Sequence, residues 1–198
     1  MERIAVFGGT FNPVHNGHVN AVREIMSAVN LDKVIIMPAK IPPHKIAHDL
    51  ASEKQRLDMC RLAFKDMPNV EVSDFEIMRE GKSYSYYTVK HLREVYPDSE
   101  LYFIMGSDML LSFHEWYRYE DILKMCGIIC MSRENGDICE LESYAEKLRD
   151  KGEVVIVNAK PYELSSTDVR CKLKNHEDCT CYLDENVVQY ISDNKLYL

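Results

Sequence analysis

The chain has 198 residues, 46% of them hydrophobic, and a formal net charge of −8. That length suits one domain, or one domain with a small appendage, and supplies enough apolar side chains for a full core. The acidic balance argues against a general nucleic-acid surface, and no run of 18 apolar residues or secretory start is present, so a soluble, cytoplasmic protein away from membranes is expected.

The apolar run Ile4, Ala5, Val6 and Phe7 reads as a buried parallel strand. Residues 8–18 (GGTFNPVHNGH) follow it and open a helical pattern carrying Val19, Val22, Ile25, Met26 and Val29. A strand, a glycine turn and a helix start form an anion site, because first-turn N–H groups point outward and the helix dipole adds about half a positive charge there. Gly8 and Gly9 let the backbone approach a ligand closely. His15 and His18 stand three residues apart, near enough in a first turn to face one ligand.

Residues 33–37 form a second strand, and a proline-stiffened loop, residues 38–49 (PAKIPPHKIAHD), follows. Lys33, Lys40, Lys45 and His44 concentrate positive charge there with no Asp or Glu among residues 33–45. Ser52 and Gln55 read as a capping box for a helix bearing Leu57, Cys60, Arg61 and Phe64. A short strand at 70–72 comes next, then Gly81 and a tyrosine-rich entry into a helix that ends before Pro97.

Residues 100–105 are a strong strand with Gly106, Ser107 and Asp108 at its carboxyl end. Short helices broken around Trp116 fill 109–125. A strand at 127–131, a charged amphipathic helix at 140–151 and a last strand at 154–157 complete the alternation. Helices at 165–174 and 184–194 close the chain. Alternating strands and helices predict an α/β fold, a Rossmann-like doubly wound parallel sheet with helices on both faces. Ligands in such sheets sit outside the carboxyl ends of the strands, so residues 8–18, 38–45, 106–108 and 160–170 are expected to line one crevice.

The seven cysteines are scattered and odd in number, which is no disulfide framework in a chain without a secretory signal. His176, Cys179 and Cys181 are the only tight group with metal-binding residue types. No C-x-x-C pair accompanies them, so a surface loop is expected and no residue is assigned to a metal.

At 164–170 (LSSTDVR), Ser165 or Ser166 reads as a helix N-cap with Arg170 one turn in, a second phosphate cradle beside plain capping.

Residues 8–18 resemble the H-x-G-H signature of the nucleotidyltransferase superfamily in its adenylyltransferase form, G-G-[ST]-F-D-P-x-H-x-G-H. Ten of eleven positions fit, and Asn12 stands where Asp is usual. Residues 164–170 resemble the I-S-S-T-x-x-R motif of that superfamily, with Leu164 in place of Ile. Pro42, Pro43, His44 and Lys45 are similar to the P-P-H-K loop of bacterial nicotinate-nucleotide adenylyltransferases. The G-x-D at Gly106–Asp108, the Trp116–Tyr117 pair and Gly81-Lys82-Ser83-Tyr84-Ser85 resemble further motifs of the same family, with Ser85 replacing Thr. The motifs span residues 8 to 170 in the family's order; the segment 175–184 matches none of them.

The resemblance implies one nucleotidyltransferase domain over residues 1–198, with C-terminal helices from about 165. It implies that the phosphate of nicotinate mononucleotide attacks the α-phosphorus of ATP, with Mg²⁺ accompanying ATP. Gly8, Gly9, Thr10, Phe11, His18, Gly106, Asp108, Ser165, Ser166, Thr167 and Arg170 would bind ATP. His44, Lys45, Tyr84, Ser85, Trp116 and Tyr117 would bind the mononucleotide. A phosphate is already largely dianionic near neutral pH. No general base is therefore required, and His15, His18, Lys45 and Arg170 act by alignment and charge stabilisation.

Rival readings are a nicotinamide-mononucleotide enzyme, since acid against amide choice rests on backbone geometry, and a pantetheine-phosphate adenylyltransferase. The latter usually has Thr where His15 stands and lacks the Pro-Pro-His-Lys loop. A class I tRNA synthetase would need an anticodon-binding region that 198 acidic residues do not supply. A non-catalytic nucleotide sensor would have no need of His15, His18 and Arg170. The sequence leaves monomer and homo-oligomer both open.

Overall fold

The computed structural model describes residues 1–40, 50–132, 137–158 and 164–198. Six parallel strands form one sheet: β1 (Arg3–Gly9), β2 (Lys33–Pro38), β3 (Val70–Val72), β4 (Glu100–Gly106), β5 (Gly127–Ser132) and β6 (Val154–Asn158). Their order across the sheet is β3-β2-β1-β4-β5-β6, and every neighbouring pair is parallel.

The strands are apolar on both faces because both faces are covered. Ala5, Val34, Ile36, Tyr102, Ile104 and Ile129 enter one core, with side chains from α1 (Asn16–Val29), α2 (Glu53–Ala63), α8 (Ser166–Lys174) and α9 (Glu185–Asp193). Their alternating neighbours Ile4, Val6, Ile35, Phe103, Met105 and Ile128 enter the other. That face is covered by α4 (Ser85–Val95), α5 (Ser107–Leu111), α6 (Tyr119–Met125) and α7 (Ile138–Arg149). The period of two along each strand therefore sorts side chains between two cores. A single turn, α3 (Phe75–Met78), was not expected from the sequence. It is too short to show a helical period.

The strand order reverses between β1 and β4, whose last paired residues are Phe7 and Ile104. The chain leaves β1 through Gly8 and Gly9 and leaves β4 through Gly106 at this same edge, the switch point where α/β sheets bind ligands. No helix among the described residues is long and apolar enough to cross a membrane.

Candidate functional site

The turn after β1 is built by a glycine and an aromatic ring. A Cβ on Gly9 would stand 3.0 Å from the Phe11 ring, so glycine gives that ring room to fold back over the strand end. Phe11 takes a positive φ of 48° and is buried, with edge contacts to Phe7 and His18 at centroid distances of 5.6 and 5.1 Å. Its side chain packs inward and is not exposed at the turn.

His15 is the N-cap of α1 and His18 its third residue. The His15 N–H donates to His18 Nδ1 at 3.2 Å, and the two rings lie 3.8 Å apart. An Nδ1 that accepts holds no proton, so the His18 proton resides on Nε2, which is then a donor. Burial pushes the His15 imidazole down to about 4 against the opposing pull of the Asp168 carboxylate. At neutral pH the His15 ring is uncharged, and it is the main-chain N–H of His15 that orients His18.

The expectation that first-turn amides of α1 all point outward needs correction. Asn16 N–H donates to Tyr182 O at 2.8 Å, its Nδ2 to Cys181 O at 3.2 Å, and His18 N–H to His15 O at 2.9 Å. The segment around Cys179–Cys181, which matched no motif, thus seats the start of α1. Nor is it all surface loop, because Cys179 is buried in the core while Cys181 is exposed.

The second motif docks onto this turn. Ser165 is the N-cap of α8; its N–H and hydroxyl both reach an Asp168 carboxylate oxygen, at 2.8 and 2.6 Å. The Ser166 hydroxyl donates to Pro13 O at 2.9 Å, so its one proton is committed to protein and a phosphate can take only its backbone N–H. Arg170 Nη1 donates to Asn12 O at 2.8 Å and Nη2 to Thr167 Oγ1 at 3.2 Å. Two motifs some 150 residues apart in sequence are therefore joined by direct hydrogen bonds.

Asn12 is the hub of that joint. Its side chain is buried, and Oδ1 accepts from the Ala51 N–H at 3.0 Å and from the Tyr197 hydroxyl at 2.6 Å. Beside it lies Arg56, fully buried, which donates to three carbonyls: Thr10 O at 2.8 Å, Ala51 O at 3.2 Å and Lys40 O at 3.4 Å. Arg56 was missed from the sequence. Its one signal is a charge on the apolar stripe shared with Met59, Cys60 and Ala63.

Of the positive cluster expected in residues 33–45, Lys33 stands apart. Lys33 begins β2 at the edge opposite the site and lies near Glu71, 3.7 Å away. A strand advances about 3.3 Å per residue, so the two ends of β2 face different edges. Lys40 is at the correct end; its N–H donates to Ser83 Oγ at 3.0 Å and its ammonium to Arg79 O at 3.2 Å. His44 and Lys45 lie outside the described residues.

Gly81 has a φ of 86°, a backbone that favours glycine, and turns the chain into α4 with Tyr84 at the N-cap and Ser85 as first residue. Tyr84 and Tyr117 face one another at 4.9 Å, and Tyr86 and Tyr87 complete an aromatic group about Tyr117. Arg79 stacks on Tyr87 and Arg118 on Tyr86. Trp116, expected with Tyr117 to bind the mononucleotide, makes T-shaped contacts with Phe103 and Phe113 at 5.7 and 5.3 Å, so it is also partly a core residue. Gly106 caps α5, and Asp108 stands exposed in its first turn.

Among the described residues no three His, Cys, Asp or Glu side chains stand together as a metal cage. The Asp168 carboxylate is engaged by Ser165.

Residues 6–172 match the family model described as Cytidylyltransferase-like. A Clostridium botulinum protein named "Probable nicotinate-nucleotide adenylyltransferase" (strain Eklund 17B) is 34% identical over 200 residues, covering 100% of this chain and 98% of the relative. The like-named Clostridium tetani protein is 31% identical over 199 residues, covering all of both chains. The fold is shared with the Plasmodium falciparum nicotinic acid mononucleotide adenylyltransferase complexed with NaAD. There the TM-score is 0.80 at 19% identity, over 100% of this chain and 98% of that one. A sheet that reverses at β1 and β4, an H-x-G-H turn bonded to an S-S-T-x-x-R helix, and full-length relatives converge: the chain belongs to the cytidylyltransferase-like family and, within it, to the nicotinate-nucleotide adenylyltransferases.

Proposed function

We propose that the protein transfers the adenylyl group of ATP to nicotinate mononucleotide, a cytoplasmic step of NAD biosynthesis. A phosphate oxygen of the mononucleotide bonds to the α-phosphorus of ATP. The bond from that phosphorus to the bridging oxygen breaks, the electron pair leaves with pyrophosphate, and nicotinate adenine dinucleotide remains. The observation that supports this best is the joint at Asn12 and Pro13, which fixes the guanidinium of Arg170 and the start of α8 beside the H-x-G-H turn.

Each residue then has a role. His18 donates from Nε2 to an α-phosphate oxygen as charge develops, and His15 holds its ring. The main chain of Gly8, Gly9, Thr10 and Phe11 lies along the phosphates. Arg170 spends two of its five N–H groups on Asn12 and Thr167, which leaves a fork for the departing β- and γ-phosphates. The amides at the start of α8, around Ser165, Ser166 and Thr167, add to that site. Gly106 and Asp108 face the adenosine, while Tyr84, Ser85, Trp116 and Tyr117 take the nicotinate end. Lys45, with His44, neutralises the incoming phosphate. Mg²⁺ bound with ATP supplies further charge neutralisation on the triphosphate.

Pyrophosphate release tests the reading. Purified protein mixed with ATP, Mg²⁺ and nicotinate mononucleotide should release it, and the amide mononucleotide or phosphopantetheine in its place should give much slower release. Nucleotide binding without release would favour a sensor, and a preference for either alternative acceptor would move the assignment to that enzyme.

A further inference from the structure

Tyr197 lies after α9 with a φ of 61°, and its ring is buried in the core that α2 and α9 share. Its hydroxyl donates to Asn12 Oδ1 at 2.6 Å, and the main-chain oxygen of that same Asn12 accepts from Arg170 at 2.8 Å. The next carbonyl, Pro13 O, accepts from Ser166. Two consecutive carbonyls of the turn thus hold the second phosphate motif, and the side chain between β1 and that joint is anchored from behind by Tyr197 and Ala51. Burial keeps the phenol protonated, and with it the donor role, against the pull of the Arg170 and Arg56 charges.

We infer that Tyr197 is a positioning residue for adenylyl transfer: its hydroxyl fixes Asn12, and Asn12 fixes Arg170 on the phosphates that leave. The inference rests on the adenylyl-transfer reading above. It assigns part of the turnover to a buried hydroxyl behind the turn, reached only through another residue. Asn12 replaces the Asp usual in the resembling motif, yet the atom used here is an acceptor oxygen that either side chain provides.

The test compares four variants with the wild type in pyrophosphate release. Tyr197→Phe keeps the ring and removes one hydrogen bond, so it is expected to fold, to lower kcat by up to about tenfold and to leave the KM for the mononucleotide unchanged. Asn12→Ala should show at least the same loss. Asn12→Asp, which retains the acceptor, should stay within about threefold of wild type. Tyr190→Phe is the control: Tyr190 on α9 donates its hydroxyl to Asp58 of α2 at 3.1 Å and does not reach Asn12, so kcat should not change. The double variant Asn12→Ala/Tyr197→Phe should be no slower than Asn12→Ala alone, because both act through one bond. Wild-type kcat in Tyr197→Phe or in Asn12→Ala, or additive losses in the double variant, would overturn the inference. A wild-type protein that releases no pyrophosphate would instead overturn the adenylyl-transfer reading itself.

Discussion

Arg170 Nη1 lies 2.8 Å from the main-chain oxygen of Asn12, tying a side chain of α8 to the turn that follows β1. That bond, with the one to Thr167 Oγ1, restrains the guanidinium in the free protein and lowers the cost of ordering it on binding. A lysine carries the charge without the fork. Arg170→Lys should fold normally and lose about 10- to 100-fold in kcat, the loss of one or two charge-assisted hydrogen bonds. Steady-state pyrophosphate release beside a thermal melt checks both halves; an unchanged kcat would remove Arg170 from the leaving-group site.

His18 offers a cleaner probe of the reacting centre. Its Nδ1 accepts from the His15 main-chain N–H, which makes Nε2 the protonated, donating nitrogen. His18→Ala should cost about 10²- to 10³-fold in kcat, as in comparable oxyanion sites. His18→Gln, which places an amide near the Nε2 position, should recover part of that loss. Equal losses in both variants would show that the donor at Nε2 is not what matters.

The pH dependence of stability follows from His15. Its folded value of about 4 lies below the ordinary 6.5, so between those limits the unfolded chain binds a proton that the folded chain does not. Stability therefore rises with pH through this window and falls on acidification from pH 6.5 toward 4. The decrease attributable to this group is at most about 3 kcal/mol. Denaturant melts at pH 7 and pH 5 should show His15→Asn losing less stability than wild type. Parallel losses would place the burial penalty elsewhere.

Arg56 is the structural counterpart. It answers three carbonyls, of Thr10, Ala51 and Lys40, in a site with no exposure to solvent. Arg56→Met fills much of the volume and leaves those carbonyls without their donor, which should cost at least about 3 kcal/mol. For a chain of this size the melting midpoint should fall by roughly 6–12 °C. A shift of under about 2 °C would mean that water replaces the guanidinium at little cost.

Local chemistry made much of the fold legible. Ser52 and Gln55 form the reciprocal capping box their spacing implies, the strand expected at 70–72 is Val70–Val72, and Ser165 with Asp168 caps α8. Each depends on residues within one turn or one strand of each other. Residues set by the tertiary fold were not legible in this way. Nothing near Tyr197 in sequence says that its hydroxyl meets Asn12, 185 residues away. Arg56 looks like a surface charge until the turn and Lys40 close over it. Lys33 failed for a simpler reason: it opens the six-residue strand β2 and Lys40 follows the other end of that strand, so closeness in sequence is not closeness in space. The T-shaped contacts of Trp116 with Phe103 and Phe113 are likewise set by the tertiary fold.

The central claim is that two polyanions are held side by side above the β1–β4 edge, so that one attacks the other without a proton acceptor. A crystal structure with nicotinate adenine dinucleotide tests it most directly. The account predicts the diphosphate of that product within hydrogen-bonding distance of His18 Nε2 and at the α8 end beside Arg170. A diphosphate lying away from both the imidazole and the guanidinium would contradict it.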